Sequence, residues 1–579
     1  MPGSSEGSLG RLCDLCDSLH SALAEADMLG RRCKRRSRIL RALFRLIDLN
    51  SAQLNLRIAR LCLALACREF CLLCPLIWCL SLDPLWDPRT LWMLVFDADL
   101  PPGLFLGVWS NEDDSASGES LLYCVGALKF LSGNSEIVRL LLDNNCVAVA
   151  QKLIKGLCTA ENSNFTMAGH ILVQLTATLR NLADHPDSRP LFISFSILSE
   201  LSVVLRLHSE DQDVCTNISR IYSKLSSYSE CRRALAQTPD CYQLFLELLS
   251  KHHQKQDLTV RLLFTLGNLT AKLDEARQQL FQCEGCMPTL LQLYDSYQRR
   301  DNSPHTPPQR GAASPRRPPP PAATVRENED VLVKLVRVLA NMCIHPAVGP
   351  AVAANTNCIE LLMETLGESM QESEELLVNV AAAFNNLSFY QTEGCALRHS
   401  QLTIAKMMLK LVLSSSMEAM LEATRVYGNL SQFKEMRDFI MQNKVYQFVV
   451  MLLDSKSTEV CFSACGVLTN LALDPPNRVS LSLEGVNAKL VDCLRDLGAG
   501  DWQLAGQVCQ ALWNMIGGGT DNLLDTQARA SLLELLVAYL DEALCCIENE
   551  DLRDFHRACW ELEFEPVAQK LVKTLLNGQ

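Results

Sequence analysis

Three cysteine pairs with the spacing C-x-x-C, Cys13/Cys16, Cys71/Cys74 and Cys283/Cys286, are the residues best suited by type and spacing to hold a metal ion. A structural zinc site needs four ligands, usually two such pairs at a suitable separation. These pairs lie far apart, each in or beside an apolar stretch, so they read as core or loop thiols and no metal or cofactor is expected. His185 in ADHPDS and His345 in CIHPAV each precede a proline and read as loop histidines rather than general bases. No phosphate-cradling, dinucleotide-binding, zinc-protease or nucleophile-elbow motif occurs. The glycine run 517–519 reads as a helix stop. The chain is therefore not expected to be an enzyme.

The feature that does recur is a polar residue at a fixed place on an apolar helix face. In 457–473, STEVCFSACGVLTNLAL, apolar residues stand 10, 6 and 3 positions before Asn470 and one after it (Val460, Ala464, Val467, Leu471). Steps of 4, 3 and 4 put all four on one side of a helix. The same frame fits Asn514, Asn429, Asn386 and Asn341, and it fits Asn268 and Asn181 except for Thr265 and Thr178 at the third place. Successive asparagines are 87, 73, 45, 43, 41 and 44 residues apart. Lys224 stands in for asparagine halfway through the first interval, with Val214, Ile218, Ile221 and Leu225 in frame. The proline-rich stretch accounts for the excess in the second.

A period of ~40–47 residues is that of helical solenoids, in which each unit buries its apolar faces against its neighbours. Between consecutive asparagines the chain reads as short helix, helix, long helix. The expected fold is all-α, an armadillo-type α-α superhelix forming a right-handed solenoid of three-helix repeats, with two-helix HEAT units as the other form. The expected organisation is a polar and basic lead-in (1–37), N-terminal repeats (38–299) interrupted by an irregular insertion at 83–117, a proline-rich loop (300–327), C-terminal repeats (328–540) and an acidic cap or tail (541–579). Leu54, Ile58, Leu61 and Leu65 sit in the same frame and mark an early repeat helix. The uncharged stretch 70–82 is broken by Pro75 and falls short of the ~20 residues that a membrane span needs.

A formal charge of −13 and a pI of about 5.4 disfavour nucleic acid and anionic membrane as partners of the chain as a whole. The run 31–45 is the exception, with eight basic residues and no acid. It reads either as a localisation or polyanion patch or as a solvated helix face. The 26 cysteines, with no secretory signal in MPGSSEGSLG, point to a cytosolic chain with reduced thiols. Five N-x-S/T sequons begin at Asn164, Asn217, Asn268, Asn386 and Asn429, and three of them coincide with repeat positions. In a chain that is not secreted none should carry sugar. Ser303, Thr306 and Ser314 precede prolines in the proline-rich loop, which is either a site of proline-directed phosphorylation or a passive insertion.

The recurring position lies at the edge of the buried stripe, where a third helix would face a concave groove. The candidate partner-binding residues are Asn181, Lys224, Asn268, Asn341, Asn386, Asn429, Asn470 and Asn514, with Arg337 and Arg425 four residues earlier in their helices. A carboxamide offers both a donor and an acceptor. It can grip the backbone of an extended bound segment, or it can tie its own repeat's loop and hold the superhelix together.

The segments TATLRNLAD, RLLFTLGNLTAK, IHPAVGPAVAAN, CFSACGVLTNLALD and LVDCLRDLGAGDWQLAGQVCQALWN, and the ending HRACWELEFEPVAQKL, resemble the armadillo-repeat family, and within it members associated with building the motile axoneme. The resemblance covers about 38–82 and 120–579. It does not extend to the family's long polar N-terminal region or to 83–114. It implies a non-enzymatic, monomeric adapter, cytoplasmic and located in the cilium or sperm flagellum. Such an adapter would deliver or stabilise radial-spoke and central-pair components, or carry them for intraflagellar transport. The alternative is a catenin-like or importin-like nuclear or junctional signalling adapter. An importin pairs each asparagine with a tryptophan four residues earlier, and here those positions hold Ala177, Phe264, Arg337, Ala382, Arg425, Gly466 and Gln510.

Overall fold

The structure is a computed structural model. It describes residues 3–25, four positions between 54 and 61, scattered positions from 122 to 133, and 135–577 apart from 144–145, 160–167, 302–321, 369–372, 391, 518–525 and 542–549. The basic run 31–45, the stretches 70–82 and 83–117, Cys71/Cys74, and the proline-rich loop with Ser303, Thr306 and Ser314 lie outside the described residues.

Every described element is a helix. The 4-3-4 frame decides what each long helix buries. In the eight long helices that carry Asn181, Lys224, Asn268, Asn341, Asn386, Asn429, Asn470 and Asn514, each frame residue is at most 5% exposed. The two threonines that depart from apolar character are buried without cost in unmet hydrogen bonds. Thr178 Oγ1 donates to the Gln174 carbonyl at 2.9 Å and Thr265 Oγ1 to that of Arg261 at 2.8 Å, the back-bonding open to threonine inside a helix.

Helix starts recur at a fixed distance too. Asp211, Ser373, Ser416 and Asp501 each stand thirteen residues before the recurring polar residue and accept a hydrogen bond from a backbone N–H of the first turn. An N-cap of this kind satisfies amides that the helix cannot. The turn from a unit's first helix into its second is made by a single left-handed residue: Ser196, Asp240, Gly285, Lys444 or Gly485.

The described chain forms two compact units, 1–272 with 283–286, and 273–282 with 287–579. In each, consecutive long helices lie side by side. The unit ending at Asn470 shows the expected three helices, Lys434–Gln442, Val445–Leu452 and Thr458–Leu471. The unit ending at Asn429 does not. One helix, Ala396–Val412, replaces the first two, so this repeat is two-helical within an unchanged period. The residues that would form its first helix include Gly394 at φ 82° and Cys395, which caps Ala396–Val412 through its sulfur.

The acidic C-terminal stretch is ordered against the array. Glu550–Cys559, a π-helical turn Trp560–Phe564 and Glu565–Asn577 pack on the Asn514 helix Trp502–Ile516. Trp502, Tyr539 and Phe564 form an aromatic cluster there, and Trp560 Nε1 donates to the Tyr539 carbonyl at 3.0 Å. Gly506 admits this cap, because a Cβ at that position would stand 2.4 Å from the Glu563 carbonyl oxygen.

An arginine eight residues past the recurring position closes the end of several long helices. Arg232 donates to the Ser226 carbonyl, Arg437 to those of Ser431 and Gln432, and Arg478 to that of Ala472. In the Asn341 repeat the same place is Gly349, and Tyr390 of the next repeat fills it, its hydroxyl donating to the Ile344 carbonyl at 3.0 Å. A Cβ on Gly349 would lie 2.1 Å from the Tyr390 ring and 2.7 Å from the Cys343 carbonyl oxygen. Gly349→Ala should therefore cost about 1–3 kcal/mol by overpacking. Tyr390→Ala in the same chain should restore part of the loss in thermal melts, whereas additive losses would sink this account.

Candidate partner-binding face

The recurring polar residues lie half-buried at the edge of each long helix's apolar face, with Asn268 buried outright, and the geometry assigns their amide nitrogens. Asn470 Nδ2 donates to the Gly428 carbonyl at 3.0 Å and to Ser431 Oγ at 2.9 Å. Asn429 Nδ2 reaches the Asn385 carbonyl and Ser388 Oγ, each at 3.0 Å. Asn386 reaches the Ala340 carbonyl and Asn514 that of Thr469, each at 2.9 Å. In the first unit Asn181 bonds Ser132 Oγ, Asn268 bonds Ser226 Oγ, and Lys224 Nζ spans 3.3 Å to the Arg180 carbonyl. A carbonyl oxygen can only accept, so each amide that faces one must present its nitrogen.

The result is a ladder. The rungs at Asn181, Lys224, Asn386, Asn429, Asn470 and Asn514 donate to the last turn of the preceding repeat's long helix, to the carbonyl just before that repeat's own recurring position, and those at Asn181, Asn268, Asn429 and Asn470 reach a serine two residues after it. That serine donates to the same carbonyl, as Ser431 Oγ does to Gly428 and Ser388 Oγ to Asn385. Three of the five sequons are this ladder written in sequence, an asparagine bound to the repeat before it and a hydroxyl two residues on that closes the same turn. The bond runs to the neighbouring repeat and not to the asparagine's own loop, and on Asn429 and Asn470 it leaves no amide hydrogen for a bound segment. Among the described residues no donor reaches Oδ1 of Asn386, Asn429 or Asn470, so the face presents these groups as acceptors. Asn470→Ala should leave the half-buried Gly428 carbonyl short of a donor and cost about 1–2 kcal/mol. A lowered melting temperature is expected, and an unchanged one would argue against the ladder.

Charged side chains form a second set of rungs that the sequence did not reveal. An acid eleven residues before the recurring position meets a base from the preceding long helix in three pairs: Arg220–Asp257, Lys334–Glu375 and Arg425–Glu459. Arg425 also pairs with Glu422 in its own helix. It is thus engaged on both sides, whereas Arg337 makes no ion pair among the described residues. Burial pushes the Glu422 carboxyl up, against the pull of Arg425. Asn217, buried, accepts from Arg180 Nη1 at 2.7 Å and donates to Thr176 Oγ1. Nothing in its spacing signals that bridge.

His185 and His345 sit in turns, where Nδ1 of each accepts from the backbone N–H two residues on. The described cysteines are free thiols, most of them buried, and no group of three or more metal-ligating side chains occurs among the described residues. Cys461 and Cys215 act as donors, their sulfurs facing carbonyls at the end of the preceding helix. No single described helix is long and apolar enough to cross a membrane.

Units of this length, stacked through their long helices, make the molecule an all-α armadillo-type solenoid and place it among protein-binding scaffolds. Two solved structures share the fold at low identity. They are an engineered protein (17% identical, 83% of this chain and 99% of that one, TM-score 0.55) and a structure reported for a phosphorylation switch controlling the interaction between cadherin and beta-catenin (12%, 88% and 97%, TM-score 0.58). The chain belongs to the family of armadillo repeat-containing protein 2. It is 43% identical to the Bos taurus protein of that name over 582 residues, 99% of this chain, and 42% identical to those of Mus musculus and Homo sapiens over 98%. It spans 66% of the length of each, just under two thirds. No family model matches the chain.

Proposed function

We propose that this chain is a non-enzymatic adapter for assembly or stability of the motile axoneme, acting in the cytoplasm and the cilium or flagellum on radial-spoke or central-pair components or on their transport machinery. The observation that carries this reading is 42–43% identity to armadillo repeat-containing protein 2 across nearly the whole chain, together with the axonemal role that the sequence resemblance implies. The long-helix face supports it physically, with a run of rungs from Asn386 to Asn514 in the second unit and open space above Gly428 and Gly466, where an added Cβ meets nothing within 4 Å.

The test is localisation of the tagged protein in multiciliated cells or spermatids, with affinity purification from the same cells. Staining of the cilium or its base and recovery of spoke or transport proteins are expected. Purely nuclear or cell-contact staining would replace this reading with a signalling adapter of the catenin kind.

A further inference from the structure

The recurring residue and those 4, 7 and 11 positions before it lie within about 40° of one line at 100° per residue, a stripe that in Glu374–Ser388, Met417–Leu430 and Thr458–Leu471 is half-buried to exposed except at Ser463. On these three neighbouring helices the stripe has a consistent chemistry. The three asparagine amides point into the ladder and their Oδ1 atoms point out. The charged groups alongside are Glu375, Glu418, Glu422 and Glu459 against the single cation Arg425. Lys334 of the preceding helix reaches Glu375, and Arg425 is shared between Glu422 and Glu459, so the stripe keeps a negative excess whose exposed carboxylate is Glu418. Ala382 and Gly466 leave its floor low.

Resting on the scaffold reading above, we infer that this face takes an extended segment of a partner protein carrying lysine or arginine at every third residue. The polarity follows from the hydrogen bonds, since the amide donors of Asn429 and Asn470 are consumed in the ladder while their Oδ1 acceptors remain, and such groups select partners that donate. The charge complementarity points the same way: four carboxylates against Arg425 and Lys334 leave a net negative face that favours a cationic strand and repels an acidic one. The register follows from the stacking distance. Packed helices lie about 8–10 Å apart, and a polyproline II strand rises about 9.3 Å in three residues and returns its side chain to the same side. One cation would meet each rung, at Asn386, Asn429 and Asn470.

The sequence already contains the control that separates binding from folding. At the Lys224 rung the lysine Nζ spans 3.3 Å to the preceding helix's Arg180 carbonyl and pairs with Asp184 at 2.5 Å. A lysine therefore keeps the rung while removing the outward acceptor and adding a positive charge.

The test uses the full chain and three fluorescent peptides of equal length and composition class: lysine at every third residue, lysine at every second residue, and glutamate at every third. Fluorescence anisotropy at low salt should show the first bound about tenfold more tightly than the second, with weakening as salt rises and no binding of the third. Asn429→Lys with Asn470→Lys should weaken binding of the first peptide by about tenfold at an unchanged melting temperature. Equal binding of the two lysine peptides, binding of the glutamate peptide, or full affinity in the double variant would each overturn the inference. Failure here with spoke or transport proteins still captured by the wild-type chain would leave the adapter reading standing and move its contact to another face. Loss of both would end both.

Discussion

Arg437→Met should destabilise the second unit by about 2–3 kcal/mol, the cost of losing charge-assisted hydrogen bonds from a half-buried ion pair. Arg437 is 8% exposed. Its guanidinium holds Asp474 through Nε at 2.7 Å and Nη2 at 3.2 Å and caps the Ser431 and Gln432 carbonyls with Nη1. It fastens the end of the Asn429 helix to the loop that follows the Asn470 helix. The hydrogen bond from Arg437 holds the Asp474 carboxyl below its ordinary range, with burial opposing. A carboxyl whose folded pKa is depressed contributes stability that is fully present above its unfolded value, about 3.9, and is lost as pH falls through the folded value. The gap between wild type and Arg437→Met should thus be widest near neutrality and narrow below about pH 4, without closing, because the carbonyl bonds do not titrate. Thermal melts at pH 7 and pH 3 measure it. A gap of constant size would show that the carboxylate contributes nothing.

Gly506→Ala should release the C-terminal cap. The added methyl would stand 2.4 Å from the Glu563 carbonyl oxygen and 2.8 Å from its carbon, with Phe564 N at 3.3 Å. Backbone on both sides cannot swing aside as the Tyr390 ring can. Overpacking of this kind costs about 1–3 kcal/mol and more where nothing yields, and the cheapest relief is to lift the π-helical turn from the Asn514 helix. Amide hydrogen exchange should show protection lost across 550–577 while the Asn429 and Asn470 helices keep theirs. Uniform loss across both regions, or none, would contradict the proposed contact. The same release would uncover Trp502, so near-ultraviolet circular dichroism offers a second measurement.

The long helices were legible because burial of one face imposes a 4-3-4 spacing that any reader of the sequence can count. The asparagine's position was legible for the same reason. Its bonding was not, because whether Nδ2 of Asn470 turns to solvent or to Gly428 depends on how closely two helices some forty residues apart are stacked. The serines that complete the ladder were in view, but only as halves of sequons. The missing first helix of the Asn429 repeat went unnoticed because Ala396–Val412 is long enough to preserve the period. The exchange of an arginine cap for the Gly349/Tyr390 pair crosses two repeats, so neither residue signals it alone. The acidic stretch 541–579 read as either a cap or a tail, because its charge says nothing of docking, which Trp560 and Phe564 carry by entering one core.

The ladder also fixes how this protein can be produced. Oligosaccharyl transfer attaches sugar to the side-chain nitrogen of asparagine in N-x-S/T, and at Asn268, Asn386 and Asn429 that nitrogen lies between two packed helices. Transfer acts on the nascent chain, before the rungs have formed. Fusing a secretion leader to this chain in a eukaryotic host would place a glycan where the next repeat must stack, so material for the experiments above belongs in the cytosol of the expression host.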